Sequence, residues 1–165
     1  MIRWFPVQVL TRTPSKDEWA RFKKYASWMR HLYPRPGMEI SEDVFWELSI
    51  ATSGGPVCPK LQYLTWASDW GWESMQQFFS PYLVSVEFIG VRMERDYPVF
   101  TTTISLLPTT YLEDLTFTTV SPSTPIHSAL SEVVQRLRPC FKQLTTESSL
   151  SDAAWEHLAS LLKLD

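Results

Sequence analysis

The side chains best suited to chemistry are two cysteines and three histidines. Cys58 and Cys140 form no C-x-x-C pair, which indicates two free thiols in a reducing compartment. The histidines have no second histidine, cysteine or carboxylate at metal-ligand spacing; they are His31, His127 and His157. The sequence therefore predicts no zinc site and no disulfide.

Two catalytic arrangements can be drawn from these residue types. Cys58 could serve as a nucleophile beside His31, but nothing in the sequence places them together, and buried structural thiols are far commoner. Glu94 and Asp96 are more typical of loop charges than of an acid/base pair. Because the phosphate-binding, dinucleotide-binding and serine-hydrolase motifs are also missing, we expect no enzyme and no cofactor. A cysteine- or carboxylate-based enzyme is the remote alternative.

Charge and hydropathy limit the partners. The basic-aromatic run Arg21–Tyr25 could bind phosphate, yet it fits the solvated face of an amphipathic helix better. The net charge of −3 argues against nucleic acid and acidic membranes. With no run of about 18 apolar residues and no signal peptide between Met1 and Leu10, we expect a cytoplasmic or nuclear protein that does not bind membranes.

The elements that must position these side chains are set by a repeated pattern, apolar-x-x-apolar-x, usually followed by an aromatic residue. Its first apolar residues are at 61, 83, 112 and 141, which gives steps of 22, 29 and 29 residues. A further copy, Met29–Tyr33, precedes them. Steps of this length around an L-x-x-L core are typical of leucine-rich repeats, in which each repeat supplies one short strand and a return segment.

The predicted fold is α/β: a short leucine-rich-repeat solenoid with a parallel sheet of about five strands and helices on the outer face. Residues 1–28 form an N-terminal segment with a capping helix, and residues 29–165 form the repeat array, which we expect to be incomplete. Alternation along a strand turns Leu64, Val86 and Leu115 inward, so these three should be buried and stacked.

Helix signals mark the return segments. Ser15 and Glu18 have capping-box spacing, and Ser41 is placed to cap a second helix. The β-branched residues between Gly90 and Pro108 predict a short or distorted helix there. The segment Pro125–Arg138 has the best amphipathic pattern and is expected to be the longest regular element in the second half.

The residues between the inward side chains point to the opposite face of the sheet, the concave side of a solenoid. We predict that a protein partner of unknown identity binds there, because solenoids commonly bind on this face and exposed aromatics are typical anchors. The candidate contacts are Tyr33, Tyr63, Thr65, Glu87, Asp114, Thr116 and Gln143.

Besides the spacing of the repeats, the residue types within several motifs are distinctive. Residues 16–26, KDEWARFKKYA, resemble a "DW-x-R-F-x-x-Y-A" segment, and residues 59–66, PKLQYLTW, resemble "P-x-L-x-x-L-x-W". Residues 78–83 and 151–164 are similar to "F-x-S-P-x-L" and "aW-x-x-L-A-x-L-x-x-L". In this order the motifs resemble the F-box/leucine-rich-repeat proteins of mushroom-forming fungi, over roughly residues 10–165.

The resemblance implies a non-enzymatic interaction module similar to the substrate-recognition repeats of an F-box protein, the substrate receptor of a ubiquitin ligase. In that family an F-box precedes the repeats and binds a Skp-type adaptor. Met1–Thr13 is too short to hold one, so we expect adaptor binding only if an F-box exists upstream. The alternative is a truncated or residual fragment without specific binding.

Overall fold

The computed structural model describes residues 7–8, 12–33, 39–91, 93–119, 126–146 and 149–162. This part of the chain contains seven strands and five α-helices. The strands are β1 (Val7–Gln8), β2 (His31–Leu32), β3 (Glu39–Ile40), β4 (Tyr63–Ala67), β5 (Ser85–Val91), β6 (Asp114–Thr119) and β7 (Gln143–Thr146). The α-helices are α1 (Lys16–Ala26), α2 (Glu42–Thr52), α3 (Met93–Ser105), α4 (Ile126–Gln135) and α5 (Asp152–Leu162). Two short 3₁₀ turns, Ser68–Trp70 and Met75–Phe78, connect β4 to β5.

Five of these strands form one open sheet in the order β2-β4-β5-β6-β7, and every neighbouring pair is parallel. The predicted strand order is therefore confirmed. The register places five apolar residues opposite one another: Leu32, Leu64, Val86, Leu115 and Leu144. Strands β1 and β3 form a separate parallel pair.

The same double hydrogen bond recurs where each strand begins. The carbonyl of Arg30 accepts from the backbone N–H groups of Gln62 and Tyr63. The carbonyls of Gln62, Val84 and Glu113 each accept in the same way from the next strand, with N···O distances of 2.7–3.1 Å across the set. The parallel hydrogen-bond ladder therefore begins one residue before each strand.

One face of the sheet is the core. Leu64, Val86 and Leu115 are almost fully buried, as predicted. Beside them Phe88 stacks on Phe117 with ring centroids 4.7 Å apart, and Phe100 of α3 meets both rings edge-on. Because Phe45 of α2 likewise contacts Trp66 of β4, these two helices cover this same face of the sheet. Helix α4 lies between α3 and α5 and continues the helical layer.

The expectation of a short helix between Gly90 and Pro108 is wrong. Helix α3 has 13 residues, although Pro98 lies inside it. The hydroxyls of Thr101 and Thr102 donate to the Pro98 carbonyl, and the Thr103 hydroxyl donates to the Trp72 carbonyl. These bonds, together with burial of the helix's inner side chains, outweigh the poor helix propensity of the threonines.

Two further helix expectations fail. Helix α4 has 10 residues, fewer than the 11 of α5 and the 13 of α3, so it is not the longest element in the second half. Its end at Gln135 follows from a tightening of the last turn, where the Arg136 and Leu137 N–H groups bond to carbonyls three residues back. Ser41 stands at the N-cap of α2, but its hydroxyl makes no capping bond. Thr124 and Pro125 lie outside the described residues.

Candidate interaction face

The face of the sheet away from the helices carries the predicted contact residues in two rows. We call it the polar face. The first row is His31, Tyr63, Ser85, Asp114 and Gln143, which lie opposite one another on successive strands. The second row is Thr65, Glu87, Thr116 and Thr145, and Tyr33 directly follows β2. The parallel register thus brings the side chains of five strands, far apart in sequence, into one surface.

An aromatic stack forms one end of the polar face. The rings of His31 and Tyr63 lie 4.4 Å apart and within 3° of parallel. Tyr33 also stacks with His31, with ring centroids 6.0 Å apart, and its hydroxyl is 3.4 Å from His31 Nδ1. Tyr33 is 59% exposed. The repeat pattern places His31 at the start of this row, aligned with Tyr63, although it is not among the seven candidate contacts. Its ring contacts both tyrosines and is the centre of the stack.

Two carboxylates lie in the middle of the polar face. Thr65 Oγ1 donates to Glu87 Oε2 at 3.0 Å. Because Thr65 is only 5% exposed, it orients Glu87 rather than offering its own surface to a partner. Asp114 lies one strand further on and is half-buried. The ten residues of the two rows, Tyr33 included, contain two carboxylates and no lysine or arginine, so this face favours cationic groups.

The far end of the polar face is uncharged. Gln143 and Thr145 are exposed on β7 and are joined by a hydrogen bond from Gln143 Nε2 to Thr145 Oγ1 of 3.3 Å. Thr116, between them and Glu87, is half-buried. The surface therefore changes from aromatic, through acidic, to neutral polar along the direction that crosses the strands.

Cys58 and His31 do not form the nucleophile pair considered from the sequence. Cys58 is buried, its Sγ lies 3.5 Å from Met29 Sδ, and burial raises the pKa of its thiol to about 11, so it stays protonated at neutral pH. His157 Nε2 lies 3.0 Å from the Leu137 carbonyl. The side chains of Glu94, Asp96 and His127 lie outside the described residues.

Metal and membrane sites were sought in the described segments. There, no three or more His, Cys, Asp or Glu side chains come together in a way that could hold a metal ion. None of the helices described is both long and apolar enough to cross a membrane. Cys58 and Cys140 are both free thiols.

Comparison with known proteins found no matching family model, no matching curated protein and no matching solved structure. Any functional assignment must therefore come from the chain's own residues and their arrangement.

Proposed function

We propose that this chain is a non-enzymatic protein-interaction module, built from leucine-rich repeats, that holds a partner protein on its polar face. The observation that carries the proposal is the stack of Tyr33, His31 and Tyr63 on the face of the sheet opposite the one that the described helices α2 and α3 cover. Exposed aromatic side chains with a preformed arrangement are the common anchors of protein interfaces, since they bury large areas at little entropic cost.

The chemistry of the rest of the face fits a partner with cationic groups. Glu87 is held in place by Thr65, and Asp114 lies beside it on the next strand. A lysine or arginine of the partner can pair with these carboxylates while an adjacent side chain packs on Tyr33 or Tyr63. Electrostatic complementarity of this kind selects the partner and its orientation more than it raises affinity.

The resemblance to F-box/leucine-rich-repeat proteins supports a narrower form of this proposal. In that form the bound protein is the substrate of a ubiquitin ligase in the cytoplasm or nucleus. The level register at steps of 32, 22, 29 and 29 residues is what such repeats would produce. A Skp-type adaptor would enter only through an F-box upstream of the repeats.

The test is capture of proteins from a lysate of the source cells by the immobilised parent chain and three immobilised variants, followed by mass spectrometry. The double variant Tyr33→Ala/Tyr63→Ala should lose the partner, with affinity reduced about tenfold or more. Glu87→Gln should also weaken capture, and the capture that remains should depend less on salt concentration than that of the parent. Trp155→Ala, which removes an exposed aromatic from α5 instead, is the matched control and should capture as the parent does.

Melting curves separate loss of binding from loss of fold, because Tyr33 and Glu87 are not part of the core. Equal capture by the parent and the double variant would contradict binding on the polar face. No reproducible capture by the parent would favour the residual-fragment alternative. Tight binding of the Skp-type adaptor by this chain alone would contradict the expectation that the F-box is missing.

A further inference from the structure

A third row of side chains, outside the polar face, lies at the end of the sheet where the five strands begin. Counting back three residues from the first row of the polar face gives Trp28, Lys60, Tyr82, Tyr111 and Cys140. The chain makes the same turn through all five positions, because the N–H two residues before each strand bonds to the carbonyl three residues further back. These N–H groups belong to Met29, Leu61, Leu83, Leu112 and Phe141. Neighbours in the row are therefore about 4.8 Å apart, the spacing of strands in a sheet. We call the first four residues the aromatic-basic edge.

The aromatic members of this edge are exposed, and two of them stack on each other. Trp28, Tyr82 and Tyr111 expose 59%, 53% and 54% of their surfaces. The rings of Tyr82 and Tyr111 are 6.4 Å apart and within 15° of parallel. Trp28 has Lys24 Nζ 5.5 Å from its ring centroid. Core packing accounts for none of these three side chains, and Tyr82 and Tyr111 together form an exposed apolar pair next to Lys60 in the row.

The same edge is positively charged, although the whole chain carries −3. The five three-residue segments that begin at the row positions contain Arg30, Lys60 and Lys142 and a single carboxylate, Glu113. Glu113 is already paired with Lys142. Lys24 and the exposed Arg138 add further positive charge beside the two ends of the row.

Helix dipoles explain only part of this charge. The helices end near this edge, and cations near helix carboxyl termini are favourable, which accounts for Lys24 in the last turn of α1. Lys60 and Lys142 instead lie in the segments just before β4 and β7, outside the helices. Dipole compensation also gives no reason for a row of exposed aromatic rings.

We propose that the aromatic-basic edge binds an extended acidic segment of a partner protein, at a surface separate from the polar face. The row from Trp28 to Tyr111 is about 14 Å long, which matches roughly four extended residues. Carboxylates of the segment pair with Lys60 and Lys24, and its aliphatic or proline side chains lie on Tyr82, Tyr111 and Trp28. The charge complementarity is opposite to that of the polar face, so the two surfaces select different ligands.

The charge distribution favours a protein segment over single-stranded nucleic acid. Nucleic acid binding depends on neutralising several phosphates and on a field that attracts polyanions. Here the unpaired cations of the edge are few, and the net charge of −3 repels a polyanion approaching from solution. A short peptide with two or three carboxylates needs no more cations than the edge supplies.

The test is selection of a random octapeptide phage library on the immobilised chain, followed by fluorescence anisotropy of the selected peptides. Selected peptides should be enriched in Asp and Glu and should bind less tightly as salt is raised. The double variant Tyr82→Ala/Tyr111→Ala and the charge reversal Lys60→Glu should each lower affinity for these peptides at least tenfold. The matched control is Tyr33→Ala/Tyr63→Ala on the polar face, which should leave the affinity for these peptides unchanged.

Three results would overturn the proposal. These are selected peptides without acidic enrichment, acidic peptides that bind the Tyr82→Ala/Tyr111→Ala variant as well as the parent, and loss of binding in the polar-face control. A fluorescein-labelled ten-nucleotide oligouridine is measured in parallel. Tighter, Tyr82-dependent binding of this RNA than of any selected peptide would also overturn the proposal, in favour of nucleic acid.

Discussion

At the residue scale, the most defined polar cluster is at the start of α1. Glu18 accepts a hydrogen bond from the Ser15 N–H, and Ser15 Oγ accepts one from the Glu18 N–H, which completes the predicted capping box. Arg12 adds two bonds to the Glu18 carboxylate, of 2.8 and 2.7 Å. The Arg12 guanidinium, followed by the bonds from Ser15, lowers the pKa of Glu18 to about 2.

This cluster predicts a pH dependence of α1. A carboxylate whose pKa is lowered on folding stabilises the fold above its ordinary pKa of 4.5 and loses that contribution as the pH falls towards 2. The amides of the first turn of α1 should therefore lose protection from hydrogen exchange between about pH 4.5 and 2. In Arg12→Ala the pKa of Glu18, measured by carboxyl NMR, should rise towards its ordinary value.

The matched control is Glu18→Gln, because glutamine can still accept the bond from the Ser15 N–H but does not titrate. In this variant the protection of the first-turn amides of α1 from hydrogen exchange should hardly change between about pH 4.5 and 2. A parent Glu18 that titrates near pH 4.5 would show that neither Arg12 nor the capping box stabilises its charged form.

At the element scale, α3 is stabilised from outside its own sequence. It ends at Ser105, and the guanidinium of Arg136, just beyond α4, donates to the carbonyls of Ser105 and Leu107. The hydroxyl of Thr109 donates to the Arg136 carbonyl at 3.1 Å. Carbonyls at a helix end have no partner within the helix, so a cation from the next return segment supplies one.

The prediction is that Arg136→Ala destabilises the chain by about 1 kcal/mol, since two bonds to a charged but exposed group are lost. Denaturant unfolding followed by circular dichroism measures this. Arg136→Lys should recover only part of the loss, because an ammonium group cannot reach two carbonyls in a fixed fork. Arg138→Ala is the matched control and should unfold at the parent's midpoint. Equal midpoints for Arg136→Ala and Arg138→Ala would rule out the bridging role.

At the scale of the whole molecule, stability is concentrated in the middle of the sheet. Leu64, Val86 and Leu115 are at most 1% exposed, whereas Leu32 and Leu144 at the two edge strands are only partly buried. Each central residue is covered by its neighbours on both sides, and each edge residue on one side. The core therefore thins towards both edges of the open sheet.

This gradient predicts unequal costs for the same substitution. Leu115→Ala should destabilise by about 2–5 kcal/mol, the usual range for a buried leucine, and should unfold or aggregate near 37 °C. Leu144→Ala removes the same atoms from a half-exposed site, so its cost should fall clearly below that range. Thermal melts of the two variants beside the parent provide the measurement. Similar melting shifts for both would mean that the interior of the sheet is no better packed than its edge.

The sequence by itself determined where the five strands of the main sheet lie and which of their residues face each other. Inward residues alternate with outward ones, and the apolar pattern recurs at steps of 22 to 32 residues, so Leu64, Val86 and Leu115 could be aligned before any coordinates were known. Six of the seven predicted contact residues lie in the two rows, and Tyr33 lies beside them. Local signals of this kind need only the residues in the pattern and the geometry of an extended chain.

Tertiary structure decided the features that depend on partners distant in sequence. Helix α3 forms despite its threonines because Phe100 and Ile104 are buried against the sheet, a gain that propensity does not contain. Thr65 is buried and holds Glu87, and Arg12 joins the capping box from outside it. The stack of His31 on Tyr63 and the aromatic-basic edge exist only once parallel strands are level, because residues 22 to 32 positions apart become neighbours through the register alone.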